Sequence, residues 1–251
     1  MVLLIGPFGS QSAVAQTKPA AAPPQAASVQ VPFVGCASDG QVGPLKAPTG
    51  PGRAFAIPRA FVQRLAYYKA EYGIGVLAPR GWHCFSTYGS DGSNLFVSPD
   101  PINPKAPFTT DWKGLSGEAI GVSVSLGGTS GRFQVAQIIM RVFPAYAAFA
   151  RNVIAEGVEP ASSFPSGPYP NDKLTYRGKN IVEFETPANA EGLGTNSRLQ
   201  SGAGPIDGVA IVSGADTDLT QLSARLKDND RDLTQTIVSQ VELEASASQT
   251  Q

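Results

Sequence analysis

The chain has few charged side chains and a single histidine. Of its 251 residues 16% are charged, with 19 Lys and Arg against 20 Asp and Glu, giving a formal net charge of −1. Proteins that bind nucleic acids or anionic surfaces do so through clustered Lys and Arg, and no such stripe occurs here. One histidine cannot by itself supply a His-rich zinc site. The composition therefore indicates no nucleic-acid partner, no metal site and no cofactor.

Long apolar runs are also missing. No segment approaches the roughly 18 to 20 apolar residues that a spanning helix needs, so we expect no membrane span. The short apolar run at residues 2–8 leads to Ala13-Val14-Ala15, whose small first and third residues suit a signal peptidase. We predict a signal peptide over 1–15 and a periplasmic or secreted protein.

The predicted signal peptide departs from the usual pattern in one respect. Lys and Arg are absent from the first 17 residues, although a signal peptide normally begins with a positively charged region. A start that lies inside a longer signal would explain this. The alternative is an ordinary buried N-terminal strand, which the following Ala- and Pro-rich tract disfavours.

The segment after the predicted cleavage site has too little bulky apolar surface to build a core. We therefore predict a flexible tether over 16–32, a single globular domain over 33–243 and a disordered tail over 244–251. The tetrapeptide Phe33-Val34-Gly35-Cys36 loosely resembles a lipobox. Because prolines and glutamines occupy the apolar region that should precede it, a lipid anchor at Cys36 is disfavoured.

The chain has two cysteines, Cys36 and Cys84. In an oxidising compartment an even count favours a disulfide, and closing the long loop between them is worth about 4 kcal/mol in the chain-entropy model. A catalytic thiolate at Cys84, activated by His83, is the alternative. Neighbouring residues of a strand point to opposite faces, so that pair is badly placed for proton transfer.

Hydrophobic periodicity and turn residues divide the domain into alternating short elements. The predicted helices cover 58–72, 133–143 with a continuation to 154 beyond a break at Pro144, and 230–242. The predicted strands cover 74–82, 82–88, 94–98, 120–126, 174–176, 181–185, 208–213 and 219–226, with a long loop over 99–117.

Short strands joined by tight turns, with helices between hairpins, predict an α+β fold in which an antiparallel sheet is covered by helices. The strand exit Pro79-Arg80-Gly81-Trp82, the meander and the C-terminal helix resemble the Mog1/PsbP type of α/β/α sandwich. Over most of its length the domain also resembles uncharacterised secreted proteins of Gram-negative bacteria. Neither resemblance implies an activity.

The glycine-rich turn Gly127-Gly128-Thr129-Ser130-Gly131-Arg132 is the strongest candidate binding segment. Between a strand and a helix such a turn directs backbone N–H groups outward, and Arg132 adds a cation, so Gly128, Thr129, Ser130 and Arg132 are candidate ligands of an anion. The turn lacks the Gly-Lys-Ser/Thr of a P-loop. The alternative is a plain strand-to-helix turn with Ser130 as the helix cap.

Trp82 and His83 form a second candidate site, although such a pair is more often packed or hydrogen-bonded than catalytic. The run from Asp228 to Asp232 mimics the opening of a calcium loop. Leu233 stands where that loop needs Gly and Ser239 where it needs Glu, so we interpret Asp230 as a helix cap instead.

Two interpretations of function stay open. The first is an exported, non-catalytic domain that binds an unidentified envelope protein or small ligand, favoured because Gly-x-Ser-x-Gly and His-Glu-x-x-His motifs are absent. The alternative is a cell-envelope hydrolase that uses His83 with carboxylates such as Asp91 or Asp111. The hydrolase requires these groups to converge in one cleft, so their placement distinguishes the two.

Overall fold

A computed structural model of the chain describes residue 2 and residues 28–247. Apart from Val2, the signal peptide predicted over 1–15 lies outside the described residues. Positions 16–27 of the predicted tether and positions 248–251 of the predicted tail also lie outside them.

Thirteen strands and three α-helices make up the described domain. The helices are α1 (Arg132–Val142), α2 (Ala147–Ala155) and α3 (Thr234–Ala247). The strands are β1 (Ser28–Val31), β2 (Phe33–Gly35), β3 (Ala37–Gly40), β4 (Arg53–Ala56), β5 (Leu65–Lys69), β6 (Val76–Pro79), β7 (His83–Gly89), β8 (Gly92–Ser98), β9 (Ala119–Ser125), β10 (Lys173–Arg177), β11 (Ile181–Thr186), β12 (Ile206–Ser213) and β13 (Asp218–Arg225).

The strands form three sheets. The large sheet has eight strands in the order β10-β11-β12-β13-β9-β8-β7-β3, and every pair in it is antiparallel except β3 with β7. A three-stranded sheet has the order β2-β5-β6, and β1 pairs with β4 alone. The antiparallel meander from β7 to β9 and the hairpins β10-β11 and β12-β13 follow the predicted turns.

Both faces of the large sheet are buried, as the alternation along β12 shows. Ala210 and Val212 pack in the cluster that α1 and α2 cover, whereas Val209 and Ile211 pack against α3 and the three-stranded sheet. Successive side chains of a strand point to opposite faces, so one strand serves two cores. The predicted α+β fold, an antiparallel sheet covered by helices, is confirmed; its finer assignment to the Mog1/PsbP type stays a prediction.

The helix break predicted at Pro144 is present. In α1 the buried residues Val135, Ile138, Ile139 and Val142 recur at helical spacing, and the helix ends one residue before Phe143. A 3-10 turn over Pro144–Tyr146 then leads into α2, because proline cannot continue the preceding helix.

The helix predicted over 58–72 is wrong. Only a 3-10 turn at Arg59–Phe61 is helical there, and β5 (Leu65–Lys69) forms the central strand of the three-stranded sheet. Leu65, Ala66, Tyr67 and Tyr68 are all buried. A strand that is covered on both faces lacks the alternation that marks a half-exposed strand, so its apolar residues also fit a helical pattern.

Two predicted boundaries are also wrong. Residues 28–31, assigned to the flexible tether, form β1 and pair with β4. The C-terminal helix continues past Glu242 to Ala247 and buries Ala245, within the predicted tail. In both places the packing partner lies far away in the sequence, so local composition could not reveal it.

The predicted disulfide between Cys36 and Cys84 is confirmed, with a Cα–Cα distance of 5.4 Å. Cys36 lies between β2, which belongs to the three-stranded sheet, and β3, which belongs to the large sheet. Its amide donates to Lys69 O of β5 at 2.9 Å. The bridge therefore fixes the point where the chain passes from one sheet to the other.

The helices of the described domain are short. Within residues 28–247 none is long and apolar enough to cross a membrane.

Replacing both cysteines by serine should lower the free energy of unfolding by about 2–4 kcal/mol, because the unfolded chain regains the entropy of the open loop. Guanidinium denaturation of the two proteins measures this difference. As a control, denatured but unreduced wild-type protein should not react with an alkylating reagent. Two reactive thiols would contradict the bridge.

Candidate functional site

Five strands of the large sheet contribute to a cavity of about 540 Å³ on the face that α3 and the three-stranded sheet cover. β7, β9 and β12 reach it with their last residues, and β8 and β13 with their first. We call this cavity the strand-end pocket. It is concave and lined mainly by apolar and aromatic groups, as small-molecule sites usually are.

Sheet register builds the floor of the pocket. Tyr88 pairs with Ser93, Ser93 with Val124, and Val124 with Thr220, so these four residues form one row across β7, β8, β9 and β13. Cross-strand partners share a face, and neighbouring strands lie about 4.8 Å apart, so the row is about 14 Å long. Asp218 lies two positions before Thr220 on the same face of β13.

Apolar groups form the walls. The loop between β5 and β6 contributes Tyr72 and Ile74, the end of β9 leads to Leu126, and Ala245 of α3 closes one side. The rings of Tyr72 and Tyr88 contact each other with centroids 4.7 Å apart. Tyr88 is fixed in turn, because its hydroxyl donates to Gly43 O at 2.6 Å.

A polar network holds α3 against this wall. Gln240 accepts from Leu77 N at 2.7 Å and donates to Gly75 O at 3.2 Å, so its amide pairs with the backbone at β6. One turn further on, Glu244 accepts from Gly75 N at 3.1 Å and from the Tyr67 hydroxyl at 3.0 Å. Burial of such groups is tolerated because they are hydrogen-bonded.

Arg53 completes the network from β4. Its guanidinium lies 2.9 Å from Glu244 Oε1, donates to the Tyr67 hydroxyl at 2.6 Å and stacks over the Tyr67 ring. Burial, reinforced by the Glu244 carboxylate, raises the pKa of Tyr67 above its ordinary range, so this phenol stays protonated and remains a donor. The wall is thus positioned by contacts from β4, β5 and α3 together.

Three polar side chains in the pocket are placed to contact a ligand. Ser93 and Thr220 are buried, with 8% and 4% of their surface exposed, and within residues 28–247 neither hydroxyl has a hydrogen-bond partner. Asp218 accepts from Gly127 N through Oδ1 at 2.8 Å. Its Oδ2 has no partner in the described part of the chain. Asp218 is also the sole charged side chain among the described residues that line the pocket.

A glycine is required where the Tyr72 loop meets the floor. Gly73 has φ +76°, and a Cβ added to it would lie 2.2 Å from the Ser93 hydroxyl oxygen. Both the backbone conformation and the close approach exclude a larger residue. The loop can therefore rest directly on the row of floor residues.

The glycine-rich turn of the predicted anion site makes several of its hydrogen bonds within the fold. Gly127 N donates to Asp218, Thr129 N to Leu126 O, and Gly131 N to the Thr129 hydroxyl. Gly128 is exposed beside the acidic Asp216. An anion would meet two carboxylates at this turn.

Arg132 is also engaged. Its guanidinium pairs with both oxygens of Glu156 and donates to Thr129 O, and Glu156 holds the pKa of Arg132 above its ordinary value. Ser130 is exposed and does not cap α1, whose N-cap is Gly131. The turn is a strand-to-helix connection whose Gly127 positions Asp218.

Trp82 and His83 lie apart from the carboxylates proposed for a hydrolase. Trp82 packs partly buried against the core, and its amide donates to the Tyr68 hydroxyl at 3.0 Å. His83 is exposed and opens β7, whereas Asp91 lies in the turn beyond the other end of that strand, about 20 Å away. Asp111 lies in the predicted loop, and within residues 28–247 no ion pair joins it to His83.

The calcium-like run has another role. Arg64 donates to Asp230, to both oxygens of Asp232 and to Asn229 O. Asp230 occupies the N-cap position of the following 3-10 turn, as interpreted, but its side chain makes no capping hydrogen bond there and accepts from Arg64 instead. In the described domain no group of three or more His, Cys, Asp or Glu side chains could hold a metal ion.

None of the residues that build the strand-end pocket was a candidate from the sequence. Tyr72 fell in the predicted helix, and Ser93 in the turn between two predicted strands. The sequence did contain one usable signal. Asp218 begins a strand that carries polar side chains on both faces, Thr220 on one and Gln221 on the other. Comparison with protein-family models, curated proteins and solved structures finds no match to this chain.

Replacing Gly73 by Ala should destabilise the domain more than replacing Gly81 by Ala. Both glycines are exposed and have positive φ, which costs a non-glycine residue about 1–2 kcal/mol, but only at Gly73 does the new Cβ meet another side chain. Urea denaturation should show an additional loss of about 1–3 kcal/mol for Gly73→Ala.

The Ser93→Ala background supplies the check. There the additional cost of Gly73→Ala should shrink, because the hydroxyl oxygen has gone. Equal costs at Gly73 and Gly81 would show that the loop does not rest on the pocket floor as described.

Proposed function

We propose that this chain is an exported, non-catalytic domain that binds a small, largely apolar ligand in the strand-end pocket. The observation that carries the proposal is the pairing of an aromatic wall with two buried residues, Ser93 and Thr220, that line the pocket. Tyr72 and Tyr88 offer ring surface, while Ser93 and Thr220 offer hydrogen bonds. A ligand that supplies these bonds gains both burial and polar contacts.

Export is supported by two independent features. Disulfides persist in oxidising compartments and are rare in the bacterial cytoplasm, and Cys36 is bonded to Cys84. The tripeptide Ala13-Val14-Ala15 after a short apolar run is typical of a signal-peptidase site. We therefore place the domain in the periplasm or outside the cell, where the ligand or an envelope partner would be met.

A small molecule fits the pocket better than a protein surface does. The aromatic and apolar groups converge on a concavity closed on one side by α3, whereas protein interfaces are mostly broad and shallow. The hydrolase alternative gains no support, because His83 lies far from Asp91 and no ion pair links it to Asp111 within residues 28–247.

Binding of the neutral fluorescent probe 1-N-phenylnaphthylamine tests the proposal. We expect saturable binding to one site, weakened roughly tenfold by Tyr72→Ala because the probe loses one half-exposed ring as a contact. Tyr72 is 49% exposed, so its removal should leave thermal stability nearly unchanged.

Tyr176→Ala is the matched control. Tyr176 is 52% exposed on the edge strand β10 and does not line the pocket, so the variant should bind the probe like wild type. An absence of saturable binding, or equal losses in the two variants, would contradict ligand binding at this site.

A further inference from the structure

We infer that the ligand of the strand-end pocket is a cationic amphiphile, in which an ammonium group binds Asp218 and an apolar or aromatic body covers the floor. The inference rests on the proposed function. It adds the chemical class of the ligand, which follows from the charge of Asp218 and from the register of the strands that form the pocket floor.

Charge complementarity carries the first step. Asp218 is the one charged group among the described residues that line the pocket, and it is an anion. Gly127 N donates to Oδ1 of this carboxylate and leaves Oδ2 able to accept another hydrogen bond. The free Oδ2 can accept from an ammonium group, and a bond to a charged partner is stronger than one between neutral groups.

The surroundings strengthen this preference. Asp216 lies two residues before Asp218, and Asp91 lies in the turn between β7 and β8, next to Gly131. Lys69 donates to Gly73 O at 2.5 Å, but its side chain does not line the pocket. A carboxylate or phosphate entering the pocket would therefore meet repulsion, whereas an amine would be attracted.

Register defines where the two ends of the ligand lie. The tyrosine pair stands at the β7 end of the floor, and Asp218 stands on β13, three strands away. A ligand with a ring and an amine joined by a short alkyl chain reaches from one to the other. Ser93, Val124 and Thr220 lie between them, so the alkyl chain packs against Val124, and the Thr220 hydroxyl, two positions from Asp218, can also accept from the ammonium group.

The tyrosines suit the same ligand chemistry. Aromatic rings pack well against Tyr72 and Tyr88 in tilted or edge-to-face arrangements. The rings also attract cations that approach their faces. Neither property favours an anion.

Three probes with the same apolar body isolate the charge: 4-phenylbutylamine, 4-phenylbutan-1-ol and 4-phenylbutyrate. Titration calorimetry with the full chain should rank the amine first and the carboxylate last. We expect the amine to bind at least about tenfold more tightly than the alcohol, the ratio that a hydrogen bond to a charged group typically supplies.

Asp218→Asn then removes the charge and keeps an oxygen that can accept from Gly127 N. The amine should lose about tenfold in affinity and the alcohol clearly less, so that the preference between them falls toward one. Asp216→Asn is the matched control, because it removes the same charge from an exposed position that does not line the pocket. It should retain the preference.

The possible outcomes distinguish a failure of this inference from a failure of the proposed function. Equal binding of all three probes, or tightest binding of the carboxylate, overturns the inference and leaves ligand binding standing. Loss of the preference in both Asn variants overturns it as well, because the charge of the turn as a whole would then be responsible. If no probe binds and phenylnaphthylamine does not bind, the proposed function itself fails.

Discussion

Burial of the large sheet on both faces is the constraint on which the rest of this structure depends. An eight-stranded sheet with apolar side chains on both sides needs two covering layers. The helices α1 and α2 supply one, and the three-stranded sheet with α3 supplies the other. The second layer is assembled from distant parts of the chain, so it must be attached to the large sheet by specific contacts.

The attachment is covalent as well as apolar, because the bridge from Cys36 to Cys84 fixes the crossing between the two sheets. Within the second layer, Gln240 and Glu244 pair α3 with backbone groups at β6. The Gln240 amide is satisfied at both its oxygen and its nitrogen, as a buried polar group requires. Where this layer ends, the loop that carries Tyr72 and Ile74 fills only part of the space over the row from Tyr88 to Thr220, and the strand-end pocket results.

Much of the fold was predictable because it is encoded locally. Tight turns rich in Gly mark the hairpin of β7 and β8, helical spacing and Pro144 mark α1 and its end, and the even cysteine count indicates the disulfide. The strand β5 was not predictable in this way. It is buried on both faces, so the alternation that distinguishes a strand from a helix is absent.

The candidate site was not predictable, for a related reason. Tyr88, Ser93 and Thr220 come together only through the register of β7, β8, β9 and β13, and register is a long-range property. The glycine-rich turn carried a stronger local signal, yet several of its donors are used within the fold. In this chain, the segment with the most conspicuous sequence motif is therefore not the segment that lines the candidate site.

Amide chemical-shift mapping of a bound apolar probe tests the central claim most directly. The account predicts that phenylnaphthylamine shifts the amide resonances of Gly73, Ser93 and Thr220 together, with one common saturation curve, and leaves those of His83 and Ser239 unchanged. Shifts centred on His83, or on the groove between β4 and α3 that Ser239 lines, would contradict it.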